Sequence, residues 1–135
     1  MADEFSMKIG YFLSLLLLSL AVVPQAQAGN CRIPGFNFNV TSEGPWPARM
    51  TVKSGESCGS RRWSFGSIAP SKLFLATAPQ HGRVVLSAPG GYRYFPAGGY
   101  VGADSFTLKL CGTANGGYQG CANLLFSVTV VAGSA

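Results

Sequence analysis

The stretch GGYRYFPAGGYVGADSF, residues 90–106, carries the strand grammar of the chain. Tyr92 and Tyr94 stand two apart, so in a strand they share one face and Arg93 takes the other. Pro96 ends that strand by removing a ladder donor, and Gly98, Gly99 and Gly102 supply permissive backbone for a turn. Asp104 and Ser105 are expected to bond nearby backbone N–H groups before Phe106 opens the next strand.

The same period of two runs outward in both directions. Downstream, Phe106, Leu108 and Leu110 alternate with Thr107 and Lys109, and Leu124, Phe126, Val128 and Val130 share one face of the last run. Upstream, Ala88-Pro89-Gly90-Gly91 turns the chain back from a β-rich run at 83–86, itself preceded by the turn Pro79-Gln80-His81-Gly82 and by Leu73-Phe74-Leu75. Further back, Ala48, Met50 and Val52 alternate with Arg49, Thr51 and Lys53, and Phe36, Phe38 and Val40 alternate with Asn37, Asn39 and Thr41. Trp63 and Phe65 suggest one more short strand. No segment shows the i, i+3, i+4, i+7 stripe of a helix. Seven or so short strands with turns between them predict an all-β, antiparallel sandwich.

The first 28 residues read as a cleaved secretory leader. Lys8 precedes an apolar run from Ile9 to Val23, and Pro24 leads to Ala26-Gln27-Ala28, a small-x-small cleavage site. As a helix that run is about 22 Å long, short of the ~30 Å hydrocarbon core, so no membrane span is expected after cleavage. Met7-Lys8 makes a more ordinary n-region than Asp3-Glu4 and offers an alternative start. Gly29 and Asn30 separate the cleavage site from Cys31, which argues against a lipid anchor. Removing residues 1–28 of 135 leaves 107, residues 29–135, enough for a single domain that is secreted or periplasmic.

All four cysteines lie in that domain, in a compartment where disulfides persist. Four cysteines allow three pairings. Cys111 ends one candidate strand and Cys121 begins the next, so a bridge between them would staple a hairpin and leave Cys31 with Cys58. A Cys58–Cys111 link is the pairing a peptide map would have to show to overturn that preference. No cysteine pair has the two-to-four spacing of a zinc site, and His81 is the only histidine.

Residues 73–131 resemble the bacterial Ig-like and cadherin-like repeats of secreted surface proteins. The matching pieces are Pro79-Gln80-His81-Gly82, then Tyr94-Phe95-Pro96, then Gly99-Tyr100-Val101-Gly102-Ala103-Asp104-Ser105-Phe106. The resemblance implies an Ig-like β-sandwich in which His81, Gly82, Tyr94, Pro96, Gly102, Asp104 and Phe106 form a structural motif. It covers a little over half of the domain. Such repeats come in tandem and seldom carry four cysteines, whereas this chain shows one copy and two candidate disulfides.

The composition narrows the chemistry. After the leader, nine Lys and Arg face Glu43, Glu56 and Asp104, about +6 with His81 neutral. Three scattered acids do not make the paired carboxylates of a glycosidase or the oxygen-rich shell of a calcium site. His81 and Asp104 have structural explanations in the turn and loop, so no catalytic residue, metal or cofactor is expected and the protein reads as a non-enzyme. A positive balance favours polyanions. Arg61-Arg62-Trp63 places two fixed charges beside a large ring, a combination suited to acidic glycans, while export disfavours nucleic acid. Against this, Trp46 and Trp63 could simply fill the core. Tyr92, Tyr100 and Tyr118 are further candidates for partial exposure. Asn39-Val40-Thr41 is a glycosylation acceptor pattern of consequence only in a eukaryotic source.

Two function classes follow. One is a structural, adhesive or binding module of the cell envelope that recognises acidic polysaccharide. The other is a small secreted inhibitor or accessory subunit that presents the cystine-bounded loop 112–120 to a protein partner.

Overall fold

The computed structural model describes residues 30–63 and 68–133; the leader, its cleavage site and the Phe65 end of the suggested short strand lie outside them. The described residues are all β, with no helix, and hence none long and apolar enough to cross a membrane. Eight strands occur: β1 (Cys31–Arg32), β2 (Trp46–Lys53), β3 (Cys58–Ser60), β4 (Ala69–Thr77), β5 (Gly82–Ser87), β6 (Gly91–Pro96), β7 (Gly102–Thr113) and β8 (Gln119–Val131). They form a five-stranded sheet in the order β1-β2-β8-β7-β4 and a three-stranded sheet in the order β3-β6-β5.

Period-two alternation builds the core. Met50 and Val52 of β2, Phe106, Leu108 and Leu110 of β7, and Leu124, Phe126, Val128 and Val130 of β8 point from the large sheet into the interior. Cys58, Tyr92 and Tyr94 meet them from the small sheet. The contact between sheets is aromatic: the Phe106 ring stacks on Tyr94 at 5.7 Å and on Phe126 at 4.8 Å, and Tyr92 lies 5.2 Å from Phe126. Burying one such ring contributes about 1.5–3 kcal/mol, so this row is a principal link between the layers.

Two expectations about strands are corrected. The sheets are not wholly antiparallel, because β2 runs parallel to β8, with Trp46 opposite Leu124 and Lys53 opposite Val131. Alternation tells which side chains are buried, not the direction of the neighbouring strand. A parallel partner also requires a long crossover, and here the intervening strands provide it. Second, Phe36 to Val40 is not a strand, although its alternate residues do face inward. Phe36 packs on Phe126 at 5.7 Å, Phe38 packs on Trp63 at 5.9 Å, and Val40 is buried. The Asn39 side chain accepts from the Thr41 N–H (2.9 Å), so a local turn takes the place of a ladder bond.

Both disulfides form in the preferred pairing. Cys31–Cys58 joins β1 of the large sheet to β3 of the small one, with Cα atoms 5.0 Å apart. Cys111–Cys121 lies within the β7–β8 hairpin, where the two residues are direct cross-strand partners with Cα atoms 4.0 Å apart. Both cysteines lie inside longer strands than their sequence positions suggested, since the ladder continues to Thr113 and Gln119. Pro70 is accommodated because β4 is an edge strand of the large sheet, next to a register irregularity.

Candidate functional site

The residues of the quoted stretch form a clamp rather than a ligand cradle. Asp104 is not in the loop: it lies in β7 opposite Val128, two residues after the strand begins. The N–H groups it holds are also not only local. Oδ1 accepts from the Ser105 N–H (2.9 Å) and the Gln80 N–H (3.1 Å), and Oδ2 from the His81 N–H (3.1 Å) and the Tyr94 hydroxyl (2.7 Å). One carboxylate thus ties the 79–82 turn, β6 and β7 together. Desolvation pushes this carboxyl up, but the bonds from Tyr94, Ser105, Gln80 and His81 outweigh it and hold it below its ordinary value. Burial, then the Asp104 hydrogen bond and the nearby Asp104 charge, push the Tyr94 phenol upward, so it stays a donor.

The neighbouring motif residues serve the same joint. A Cβ on Gly82 would lie 2.5 Å from the Phe95 carbonyl and 2.9 Å from the Tyr94 ring, which leaves hydrogen as the side chain that fits. Pro96 pairs with Gly82 at the end of β6, and the Ala97 N–H continues to the His81 carbonyl (2.8 Å). Gly102 has φ +141° with the Tyr100 hydroxyl directly beside it. The His81 ring is stacked on Tyr100 at 4.1 Å, and the Tyr100 hydroxyl donates to the Ala103 carbonyl. His81 and Asp104 meet through backbone N–H and carboxylate, not as a base and its orienting acid. Among the described residues no three His, Cys, Asp or Glu side chains come together as a metal site would need.

The arginine-tryptophan triplet is divided. Trp63 is half-buried; its indole N–H donates to the Gly90 carbonyl (2.8 Å), and its ring lies against Tyr92, Phe38 and Phe36. Its ring packs against the core, as does the half-buried Trp46, whose indole N–H donates to the Ser42 carbonyl (2.9 Å). Tyr92 is buried, Tyr100 half-buried, and Tyr118 exposed. Arg61 and Arg62 are both exposed, at a turn where Ser60 Oγ accepts from the Arg62 N–H (3.0 Å).

Arg61 acquires different company. The outer face of the small sheet carries Arg93 of β6 and Arg83 of β5, both exposed, with Val85 and Phe95 between them. A shallow groove of about 340 Å³ runs over this face, lined by Arg61, Arg93, Val85, Phe95, Ser60 and Ser87. The Arg83 guanidinium sits 4.2 Å over the Phe95 ring, and Arg93 donates to the Ser57 hydroxyl (3.0 Å). The Arg61 stem passes beside Gly91, where an added Cβ would lie 3.1 Å from its Cγ. No carboxylate lines the groove. Arg83 and Arg93 escaped the sequence reading because their grouping with Arg61 is a matter of strand register. The available signal was their phase, since each occupies the polar position of an alternating run.

The cystine-bounded hairpin ends in a turn at 114–118, where Gly116 and Gly117 both take positive φ and Tyr118 is half exposed. No family model matches the chain, and no curated protein matches it.

Proposed function

We propose that this is a secreted, non-enzymatic Ig-like domain with a structural or adhesive role at the cell envelope, binding anionic polysaccharide through the outer face of its small sheet. The observation that carries the reading is a groove lined by two exposed arginines, Arg61 and Arg93, and by no carboxylate, with the exposed Arg83 set over the Phe95 ring at its side. Guanidinium groups suit sulfate and carboxylate because they offer planar paired donors and are less strongly hydrated than ammonium. The apolar sides of Val85 and Phe95 give the C–H faces of sugar rings something to pack on.

The Ig-like assignment is supported by strand order. In the usual lettering β3, β6 and β5 correspond to B, E and D, while β8, β7 and β4 correspond to G, F and C. The first long strand, β2, sits on the second sheet beside the last. Export is supported by the leader-like first 28 residues and by two disulfides, which persist outside the reducing cytosol. The reading assigns no catalytic residue, because the Asp104 carboxylate is already occupied by four donors and His81 by a stacked ring.

The test is retention of the disulfide-bonded protein on an immobilised acidic polysaccharide at low salt, against a neutral polysaccharide of the same length. Retention that collapses as salt rises supports the reading; equal behaviour on both matrices refutes it. A second reading has one observation in its favour: the Cys111–Cys121 staple holds an exposed Tyr118 at the tip of a hairpin. That arrangement suits an inhibitor or accessory subunit, since stapling lowers the ordering cost of binding. Recovery of one stoichiometric protein from native extracellular material would favour it.

A further inference from the structure

We infer that the polysaccharide lies as an extended linear chain running obliquely across the small sheet, along a diagonal of arginines in the order Arg61, Arg93, Arg83. The inference rests on the polysaccharide reading and specifies the path and shape of the ligand.

The diagonal comes from register. Ser60 pairs with Tyr92, so the next residue, Arg61, comes beside Gly91. Arg93 is two residues further along β6, and Phe95, two further again, pairs with Arg83 of β5. Each step therefore crosses one strand and advances two residues in the same direction. With strands about 4.8 Å apart and about 3.4 Å of rise per residue, successive arginine backbones stand about 8 Å apart and the row spans about 16 Å. A small anion reaches one of these charges. A chain with an acidic group on successive or alternate rings reaches all three.

The row is also held in place before any ligand arrives. Arg83 rests on the Phe95 ring, Arg93 is hydrogen-bonded to Ser57, and Arg61 passes along the gap that Gly91 leaves. The guanidinium groups of Arg83 and Arg93, restrained in this way, lose less freedom on binding than free ones. Val85 lies beside the row, directly opposite Arg93, and Ser60 and Ser87 add hydroxyl groups along the groove. On the outer face of the large sheet Arg49, Lys72 and Lys109 also fall on three strands, β2, β4 and β7, but the row is interrupted at β8, where the exposed Leu125 stands between Lys109 and Arg49.

Heparin oligosaccharides of graded length, titrated by calorimetry, provide the test. Affinity should climb with length until the chain spans about 16 Å and then flatten. Between 50 and 200 mM salt the longest probe should weaken about 20- to 40-fold, the counterion release expected of about three contacts, and R61A, R83A and R93A should each lower the salt slope by just under one. Melting curves of these surface variants verify that they remain folded. If binding survives the triple arginine variant but falls in R49A/K72A/K109A, the path is wrong while the polysaccharide reading stands. If the unmodified protein binds no heparin at low salt, the polysaccharide reading itself fails. Tighter binding to a single-stranded oligonucleotide or to anionic vesicles of matched charge overturns the choice of occupant.

Discussion

Replacing Asp104 by alanine tests whether the organising stretch is a structural joint. The substitution removes four acceptor contacts, but they do not weigh equally. The Tyr94 side chain is fully buried and its hydroxyl donates to Asp104, so D104A strands a buried donor at a cost of about 1–3 kcal/mol. The N–H groups of Gln80 and His81 lie at exposed positions where water can replace the carboxylate. Each then loses only the margin of a charged over a neutral acceptor, about 0.5–1 kcal/mol. The total is about 2–5 kcal/mol, a large share of the 5–15 kcal/mol typical of a domain this size. At about 4–8 °C per kcal/mol, Tm should fall by roughly 8–40 °C.

Scanning calorimetry of D104A, Y94F and the double variant gives the measurement. Y94F removes the donor and leaves the carboxylate its three N–H partners, so it should cost about 1 kcal/mol. In the double variant no hydroxyl is stranded, so the two losses should fall short of additive by about 1–2 kcal/mol. Additive losses, or a D104A protein that melts within about 3 °C of the unmodified one, would refute the joint. Loss of ligand binding at unchanged Tm would move Asp104 from scaffold to site.

Further outcomes follow from the same structure. Asp104 has its folded pKa below the unfolded one, so its contribution is complete above about pH 4 and is lost as pH falls through the folded value; acid titration of stability should be steeper in the unmodified protein than in D104A. Replacing Cys111 and Cys121 together should cost about 2.7 kcal/mol, and replacing Cys31 and Cys58 about 3.5 kcal/mol, read from denaturant midpoints; the opposite order would mean that strain or residual structure, not loop length, dominates. W63A should destabilise by about 3 kcal/mol, whereas W63F should retain heparin binding, because the ring serves the core and the charge serves the ligand. A Cβ on Gly59 would run into the Tyr92 carbonyl, so G59A should lose about 1–3 kcal/mol in chemical denaturation.

How much of this was legible beforehand depends on whether the physics is local. Alternation reports burial directly, so the inward residues of β2, β7 and β8 could be named from their spacing, whereas Tyr92 of β6, offered as partly exposed, is buried. The hairpin disulfide was legible for the same reason, since Cys111 and Cys121 flank one glycine-rich turn. Partner direction is not local: nothing in Trp46–Lys53 says that its neighbour is the last strand or that the two run parallel. The Phe36–Val40 segment shows the converse failure, because a chain lying against an aromatic cluster alternates as a strand does without making a ladder. The candidate site falls on the non-local side of this division. Adjacent charges at 61 and 62 drew attention in the sequence, but they lie at a turn just past β3, and only Arg61 lines the groove. A binding face is assembled across strands, from residues separated by ten or twenty positions and aligned by register. Arg61, Arg83 and Arg93 are such a set, and Asp104 with Gln80, His81 and Tyr94 is another. Both became visible only once the pairing of β6 was known, which makes that strand the common support of the joint on its inner side and the charged row on its outer side.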